Sequence, residues 1–286
     1  MNDIIATILQ RAGLEQEPIE PLKGATSSYV FRAGKSVFRI HTNAAWLKQE
    51  PDLVAHEVFA LQAAGHLGPD VENYQLTREG DIPPWIQMTY LPGTIRLEPL
   101  DRSYLRQLAK TLVRIHQLPI PERRYQYAPY ATQRMVPSWA KRTEIWQRAA
   151  EEPPAMSRQI RFIHRDFHPV NVLYGSEQQY NVVDWINACV GPIEADVAHC
   201  RLNLALLESL EAADQFLAEY IELSGLSGFS YDRKWDLTAV FDFEPETIDV
   251  YPGWKAYGKA NISRANVRER MENIVLKVYE NDESGY

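Results

Sequence analysis

The sequence has few cysteines, no long apolar run and no excess of positive charge. Cys189 and Cys200 are its only cysteines, and it contains neither a CxxC pair nor a Cys/His cluster with zinc spacing. A disulfide framework or a structural zinc site is therefore not predicted. Because free cysteine is among the most buried residue types, we expect both thiols to lie in the core.

Apolar segments are short, and none approaches the roughly 20 residues that a membrane-spanning helix requires. The first residues, MNDIIATILQRAGLEQEP, lack the basic region and apolar core of a secretion signal. The formal net charge of -8 argues against nucleic acid or an anionic membrane as the main partner. We therefore expect a cytoplasmic protein.

The 286 residues, 45% hydrophobic and 24% charged, are typical of a globular protein with one large domain or two lobes. Up to about residue 90 the pattern is mixed. It predicts a helix ending near Gly13, a hairpin of Tyr29 to Arg32 with Ser36 to Ile40, a helix with Pro51 at its first position and Gly65 just past its end, and a strand from Trp85 to Tyr90.

Beyond residues 91–99 the pattern becomes mainly helical. A helix beginning at Asp101 carries one apolar stripe. A long helix through Asp196 to Ser224 and a last helix from about Lys259 follow, with an aromatic and acidic stretch from Ser230 to Trp254 between them. We therefore divide the chain into an N-lobe (1–90), a linker (91–99) and a C-lobe (100–286).

The stretch FIHRDFHPVNVLY, residues 162–174, interrupts a strand-like sequence with polar side chains. These are costly to bury without partners, so a structural network or a ligand must satisfy them. If Val172 to Tyr174 and Tyr180 to Val183 form a hairpin with Tyr174 opposite Asn181, the register places Asn171 opposite Asp184. Paired oxygen ligands suit Mg²⁺, and Asp166 lies in the loop just before.

A second group of candidate residues lies in the N-terminal part. Strand alternation places Val37 and Arg39 on one face, and Glu57 interrupts the apolar stripe of the following helix. A carboxylate in that position needs a cation, and the forked guanidinium of Arg39 could hold both the carboxylate and a phosphate. The preceding segment Gly24 to Ser28 could fold over an anion with its backbone N–H groups.

HRDFHPVNVLY followed by VVDW resembles the catalytic core of the aminoglycoside phosphotransferase and choline kinase superfamily, the small-molecule branch of the protein-kinase-like fold. The pattern His-x-Asp-x-x-x-x-Asn is met by His164, Asp166 and Asn171, and the later metal-binding aspartate by Asp184. GPIEAD adds Gly191, Pro192 and Asp196. The N-terminal features follow in matching order. The basic residue on the strand is Arg39, where many family members have Lys, and the loop at Gly24 has a single glycine.

The resemblance implies an α+β, two-lobed protein-kinase-like fold with a small antiparallel-sheet N-lobe and a larger, mainly helical C-lobe. It implies a kinase that moves the γ-phosphoryl group of ATP, or GTP, to a hydroxyl of a small molecule. Asp166 would be the catalytic base, with Asn171 and Asp184 as Mg²⁺ ligands. The nucleotide would contact Gly24, Ser27, Ser28, Val37, Arg39, Glu57, Met88 and Tyr90.

Family members act on varied alcohols, so the resemblance does not name the acceptor. The acidic and aromatic segment VFDFEPETIDVYPGW, residues 240–254, suits an aminoglycoside-, choline- or amino-alcohol-like ligand through charge and cation–π contacts. A solvated acidic loop over an aromatic core is the alternative. The predicted acceptor residues are Asp196, Asp242, Glu244 and Trp254, with Asp196 equally suited to capping its helix.

Three other interpretations remain open. Arg39 and Glu57 could be only a buried ion pair, and the chain could bind nucleotide without transferring phosphate. In the third, a metallohydrolase would use His164, Asp166 and His168 as ligands. We interpret His164 as a loop-organising donor, and His116 and His199 as helix residues without a chemical role. No nucleic-acid or membrane partner is predicted, and the oligomeric state is left open.

Overall fold

The structure is a computed structural model that describes residues 1–23, 28–121, 125–153, 155–157, 159–175 and 180–280. The chain divides into two compact units. The first comprises residues 1–94 and 173–187, and the second comprises residues 95–172 and 188–286. Residues 173–187, which the sequence division placed in the C-lobe, thus belong to the first unit.

A five-stranded antiparallel sheet with strand order β1-β2-β3-β5-β4 forms the centre of the first unit. The predicted hairpin is confirmed, with Tyr29 paired to Ile40 and Ala33 to Ser36. Along β3, Phe38 and Ile40 face the core, whereas Arg39 lies on the opposite face as predicted. The strands are β1 Ile19–Pro21, β2 Tyr29–Ala33, β3 Ser36–Ile40, β4 Val71–Gln75 and β5 Trp85–Thr89.

In the described residues of the first unit, the α-helices that accompany this sheet are α1 Asn2–Ala12, α2 Ala44–Gln49 and α3 Leu53–Ala64. Helix α1 ends at Ala12, close to the predicted end near Gly13, and it buries Ile8 against the sheet. Gly13 caps its C-terminus in a left-handed conformation. The prediction that Pro51 begins α3 was wrong, because Asp52 is the N-cap and the helix begins at Leu53. The short helix α2 was not predicted.

A two-stranded sheet of β7 (Val172–Tyr174) and β8 (Tyr180–Val182) confirms the predicted strands. After β8, a 3₁₀ turn at Trp185–Asn187 buries the Trp185 indole, whose Nε1–H donates to the carbonyl of Val182 at 2.8 Å. A Cβ placed on Gly68 would come within 2.8 Å of this indole. The close approach explains why glycine suits position 68.

Helix α4 (Arg102–His116) confirms the helix predicted from Asp101, which caps it by accepting the N–H of Tyr104 at 2.9 Å. Its apolar stripe packs against helix α7 (Leu210–Ser224). The second unit also contains β6 Ile160–Ile163, β9 Cys189–Pro192, α5 Thr143–Glu151, α6 Ile193–Leu207, α8 Lys234–Asp242, α9 Pro252–Ala256 and α10 Arg264–Tyr279. The stripe consists of Leu105, Leu108, Leu112 and Ile115, all of which are buried.

Two helix predictions in this unit were wrong. The continuous helix expected through Ser224 is broken after Leu207, because Ser209 adopts an extended backbone and its Oγ accepts the N–H of Ala212 to start α7. The last helix begins at Arg264 rather than near Lys259, and Ser263 caps it in a capping box.

Both cysteines are buried, as expected, and both are free thiols in the structure. Within the described parts of the chain, no helix is long and apolar enough to cross a membrane.

Candidate active site

The polar residues 164–168 form a loop between β6 and a 3₁₀ turn at Pro169–Asn171. Strand β6 is held by β9, which places Ile163 opposite Cys189 at the point where the loop begins. Arg165 then adopts a left-handed backbone with φ of 72°, a conformation that costs energy for a residue with a Cβ. The loop is therefore a sharp turn that needs support from its surroundings.

Arg165 receives that support through its buried side chain. Its guanidinium carbon lies 4.1 Å from the ring centroids of both Tyr127 and Tyr130. Its Nη2 lies 3.6 Å from Oδ2 of Asp242 and donates to the carbonyl of Ala128. Arg165 is thus an anchor for the loop rather than a group that points at a ligand.

Asp166 presents its carboxylate at this turn, with 29% of the side chain exposed. Oδ1 lies 2.9 Å from Nε2 of His199 and 3.8 Å from Nε2 of His168, and Oδ2 accepts Nδ2–H of Asn171 at 3.3 Å. Burial alone would raise the pKa of Asp166, but the neighbouring histidines outweigh it and hold the pKa well below its ordinary value of 3.8. The carboxylate is therefore ionised, fixed in place and accessible.

Asp196 supports the backbone of the same loop. Its two oxygens accept the N–H groups of His164 at 2.8 Å and Arg165 at 2.6 Å, and Oδ2 lies 3.1 Å from Nε2 of His116. The predictions that Asp196 contacts the acceptor or caps its helix were wrong. It lies in the first turn of α6, fully buried, and Pro192 is the N-cap.

Acid should weaken the fold through Asp196. Burial opposes ionisation, but His116 and the N–H of His164 outweigh it, so the pKa of Asp196 lies below its ordinary value of 3.8. A carboxylate with a lowered folded-state pKa contributes stability that is present above the ordinary value and lost as pH falls through the folded value. The free energy of unfolding, measured with urea from pH 7 to pH 3, should therefore fall less steeply in Asp196→Asn than in the unsubstituted protein. Equal slopes would contradict this account.

His164 is fully buried and organises the loop as predicted, although its Nδ1 accepts the N–H of Asp166 at 3.3 Å rather than donating. His168 is buried, which lowers its pKa to about 4. Among the described residues, which include the whole loop, no group of three or more His, Cys, Asp or Glu side chains is placed to hold a metal ion. The ligand set that the metallohydrolase interpretation requires is not formed.

His199, which we interpreted as a helix residue without a chemical role, lies with its ring against Asp166. The missed signal was spacing. His199 follows Asp196 by three residues, so the two side chains share one face of α6. His116, in contrast, has the packing role predicted for it: its ring is buried between Asp196 and the hydroxyl of Tyr220.

In the first unit, Arg39 and Glu57 form the predicted ion pair, with Nη1 to Oε1 at 3.2 Å. His41 lies on the other carboxylate oxygen, with Nε2 to Oε2 at 3.2 Å. Burial alone would raise the pKa of Glu57, but Arg39 and His41 lower it below its ordinary value of 4.5. Glu57 is 1% exposed, so it acts as a fixed charge that orients the guanidinium.

Asp184 follows β8 in a left-handed conformation, with φ of 66°. Its Oδ1 accepts Nη1–H of Arg39 at 2.8 Å, and 38% of its side chain is exposed. The sequence analysis assigned Arg39 to a phosphate and Asp184 to Mg²⁺. The structure brings both into one charged group with Glu57.

The other predicted nucleotide contacts are placed as follows. Val37 lies opposite Met88 in the β3–β5 pairing. The N–H of Tyr90 donates to the carbonyl of Lys35 at 2.7 Å. Ser28 lies just before β2, whereas Gly24 and Ser27 fall outside the described residues.

The predicted acceptor residues are dispersed. Asp242 is half-buried beside Arg165 and accepts the N–H of Ala131 at 2.9 Å, so its carboxylate is already partnered. Trp254 is 1% exposed and belongs to the core, which argues against a direct acceptor contact. Glu244 is exposed and has a positive φ of 49°. Of these predicted residues, Glu244 is thus the accessible one.

Mg²⁺ is the metal implied by the resemblance, and the two predicted ligands have suitable chemistry. Asn171 donates its Nδ2–H to the backbone carbonyl of Asp166 at 2.8 Å, which leaves the carboxamide oxygen for another partner. Asp184 supplies an ionisable carboxylate that is partly exposed. A carboxamide and a carboxylate oxygen match the preference of Mg²⁺ for hard oxygen ligands.

A family model described as the phosphotransferase enzyme family matches residues 18–235, more than half of the chain. A search of curated proteins found no match. Solved structures that match include a choline/ethanolamine kinase family protein from Mesorhizobium loti, at 15% identity over 98% of this chain and 94% of that one, with a TM-score of 0.58.

Two further structures contain ligands. APH(2")-IIia, in complex with GDP and kanamycin, matches at 15% identity over 100% of both chains with a TM-score of 0.61. The amicoumacin kinase hAmiN, in complex with AMP-PNP, Ca²⁺ and Ami, matches at 13% identity over 93% of this chain and 92% of that one, with a TM-score of 0.56. The predicted fold class is confirmed by this likeness.

Proposed function

This chain belongs to the phosphotransferase enzyme family, and we propose that it transfers the γ-phosphoryl group of ATP or GTP to a hydroxyl of a small molecule. The observation that carries this proposal is the geometry of Asp166, an ionised and partly exposed carboxylate held in a rigid loop. Such a group can orient an attacking hydroxyl and accept its proton.

The transfer is a displacement at phosphorus. The hydroxyl oxygen forms a bond to the γ-phosphorus, the bond to the bridging β-γ oxygen breaks, and the nucleoside diphosphate leaves with that electron pair. The hydroxyl proton passes to Asp166. The arrangement of Asp166 therefore controls both the direction of attack and the destination of the proton.

Two sources would supply the positive charge that neutralises the phosphates. Arg39, braced by Glu57, has five N–H donors, so it can hold a phosphate in addition to its two carboxylate partners, Glu57 and Asp184. Asn171 and Asp184 would hold Mg²⁺, which neutralises charge that develops on the phosphates. We assign the nucleotide base to the strand around Val37, Met88 and Tyr90, and further phosphate contacts to Gly24, Ser27 and Ser28.

The acceptor is a small hydroxyl compound that we expect to meet Asp166 in the second unit. APH(2")-IIia was solved in complex with GDP and kanamycin, and hAmiN with AMP-PNP and Ami, which supports the same two-substrate pattern here. An amine-bearing acceptor is the first class to test. Glu244 is exposed in this part of the chain, whereas Asp242 is neutralised by Arg165.

Nucleotide binding can be tested by thermal unfolding. At 100 times the dissociation constant, a ligand that binds only the folded protein contributes about 2.7 kcal/mol. For a protein of this size that corresponds to a rise of roughly 5 °C in Tm. We expect this rise with Mg-ATP or Mg-GTP and a smaller one with nucleotide plus EDTA. No shift at millimolar nucleotide would contradict the proposal.

Transfer itself is tested by incubating the protein with Mg-ATP or Mg-GTP and a panel of acceptors. Kanamycin, spectinomycin, a macrolide, choline, ethanolamine and a hexose cover the classes of interest. Mass spectrometry should detect an acceptor that gains one phosphate and the matching nucleoside diphosphate. Nucleotide binding without a phosphorylated product from any panel member would favour a nucleotide-binding protein without transfer activity.

A further inference from the structure

We propose that His199 is a positioning residue for Asp166, fixing the rotation of the carboxylate that orients the acceptor hydroxyl. This inference rests on the proposed phosphoryl transfer and adds a residue that the family resemblance did not supply. It starts from the 2.9 Å distance between Nε2 of His199 and Oδ1 of Asp166. The two residues are 33 positions apart in the sequence, so the contact is made by the fold.

The two oxygens of Asp166 have different neighbours. Oδ1 lies 2.9 Å from Nε2 of His199, whereas Oδ2 accepts Nδ2–H of Asn171 at 3.3 Å, a longer contact. The terminal torsion of an aspartate joins an sp³ to an sp² carbon and has a broad energy profile. Without a short contact on one oxygen, the plane of the carboxylate would be poorly defined.

Helix α6 contacts both the backbone of the loop and the side chain of Asp166. Asp196 accepts the backbone N–H groups of His164 and Arg165, and the ring of His199, one turn later on the same face, lies against the carboxylate of Asp166. Nearly all of this helix is buried, so it is a rigid support. A site on a rigid element keeps its geometry better than one that depends on the loop alone.

The ring of His199 is itself held in place. It lies 5.2 Å from the ring of Phe243 and 5.9 Å from the ring of His168, measured between centroids, and both neighbours are tilted against it. Its side chain is 16% exposed. These contacts restrict the imidazole, which in turn restricts the carboxylate.

The chemical consequence follows from which oxygen is occupied. With Oδ1 engaged by His199, the acceptor hydroxyl donates to Oδ2 and its oxygen is aligned for attack on the γ-phosphorus. The bonds made and broken are those of the transfer already described. A displacement of about 1 Å in such a site can cost on the order of 10²-fold in rate.

Kinetics with the best acceptor of the panel test this role. His199→Leu removes the N–H and should lower kcat roughly 10²-fold, with the KM for nucleotide and the Tm little changed. His199→Gln can place an amide N–H near the Nε2 position and should restore most of the rate. The exposed His66, replaced by Leu, is the control. Equal rates for His199→Leu and the unsubstituted protein would overturn the inference.

NMR of protein labelled with [¹⁵N]histidine tests the contact without any acceptor. A ring N–H of His199 bonded to a carboxylate should give a downfield proton signal that His199→Leu removes and Asp166→Asn shifts. A His199 signal unaffected by Asp166→Asn would overturn the inference. Absence of transfer by the unsubstituted protein would instead overturn the proposed function, so the two failures are distinguishable.

Discussion

Replacement of Asp166 by asparagine is expected to lower phosphoryl transfer by about 10²- to 10⁴-fold while nucleotide binding is retained. Asparagine keeps the shape of the side chain but cannot accept the hydroxyl proton. The groups that we assign to the phosphates, Arg39 with Glu57, are unchanged by the substitution. The measurement is kcat with the best acceptor of the panel, together with the Kd for Mg-ATP from titration calorimetry.

The matched control is Asp81→Asn, which makes the same change on an exposed aspartate. It should leave both kcat and Kd as they are in the unsubstituted protein. If Asp166→Asn weakens nucleotide binding as much as transfer, the carboxylate supports the loop rather than the chemistry. If transfer is unchanged, Asp166 is not the group that meets the hydroxyl.

The local features of the first unit could be predicted because each depends on neighbours in the sequence. Strand alternation placed Arg39 on the other face of β3 from Phe38 and Ile40, and helical spacing identified Glu57 as a carboxylate on an apolar face. A buried charge requires a partner, so the pairing of Arg39 with Glu57 followed from electrostatics. The addition of Asp184 did not follow, since it depends on a segment more than a hundred residues away.

The second unit was harder to predict for a physical reason. Helical periodicity runs from α6 into α7, but Ser209 offers its hydroxyl to the N–H of Ala212 and starts a new helix. Strand β9 is four residues long, and it pairs with β6, a strand that is distant in the sequence. His199 looked like an ordinary helix residue because its spacing from Asp196 gives the shared face of α6 but not the residue, Asp166, that lies against that face.

Replacement of Asp236 by asparagine is expected to lower the free energy of unfolding by about 3 to 5 kcal/mol, the range for breaking a buried ion pair. Arg201 is 2% exposed, and its Nε and Nη2 donate to the two oxygens of Asp236 at 3.0 and 3.1 Å. Tyr231 donates its hydroxyl to the same carboxylate at 2.6 Å. Asparagine keeps the volume but leaves the arginine charge without its main compensation.

Urea unfolding of two further variants separates charge from packing. Asp214 also lies 3.0 Å from Arg201, but 35% of its side chain is exposed, so Asp214→Asn should cost less than about 1 kcal/mol. The double variant Arg201→Met with Asp236→Leu removes both charges and should regain much of the stability. Equal losses in Asp236→Asn and Asp214→Asn would show that burial does not set the strength of this pair. A double variant as unstable as Asp236→Asn would assign the loss to packing between α6 and α8 instead.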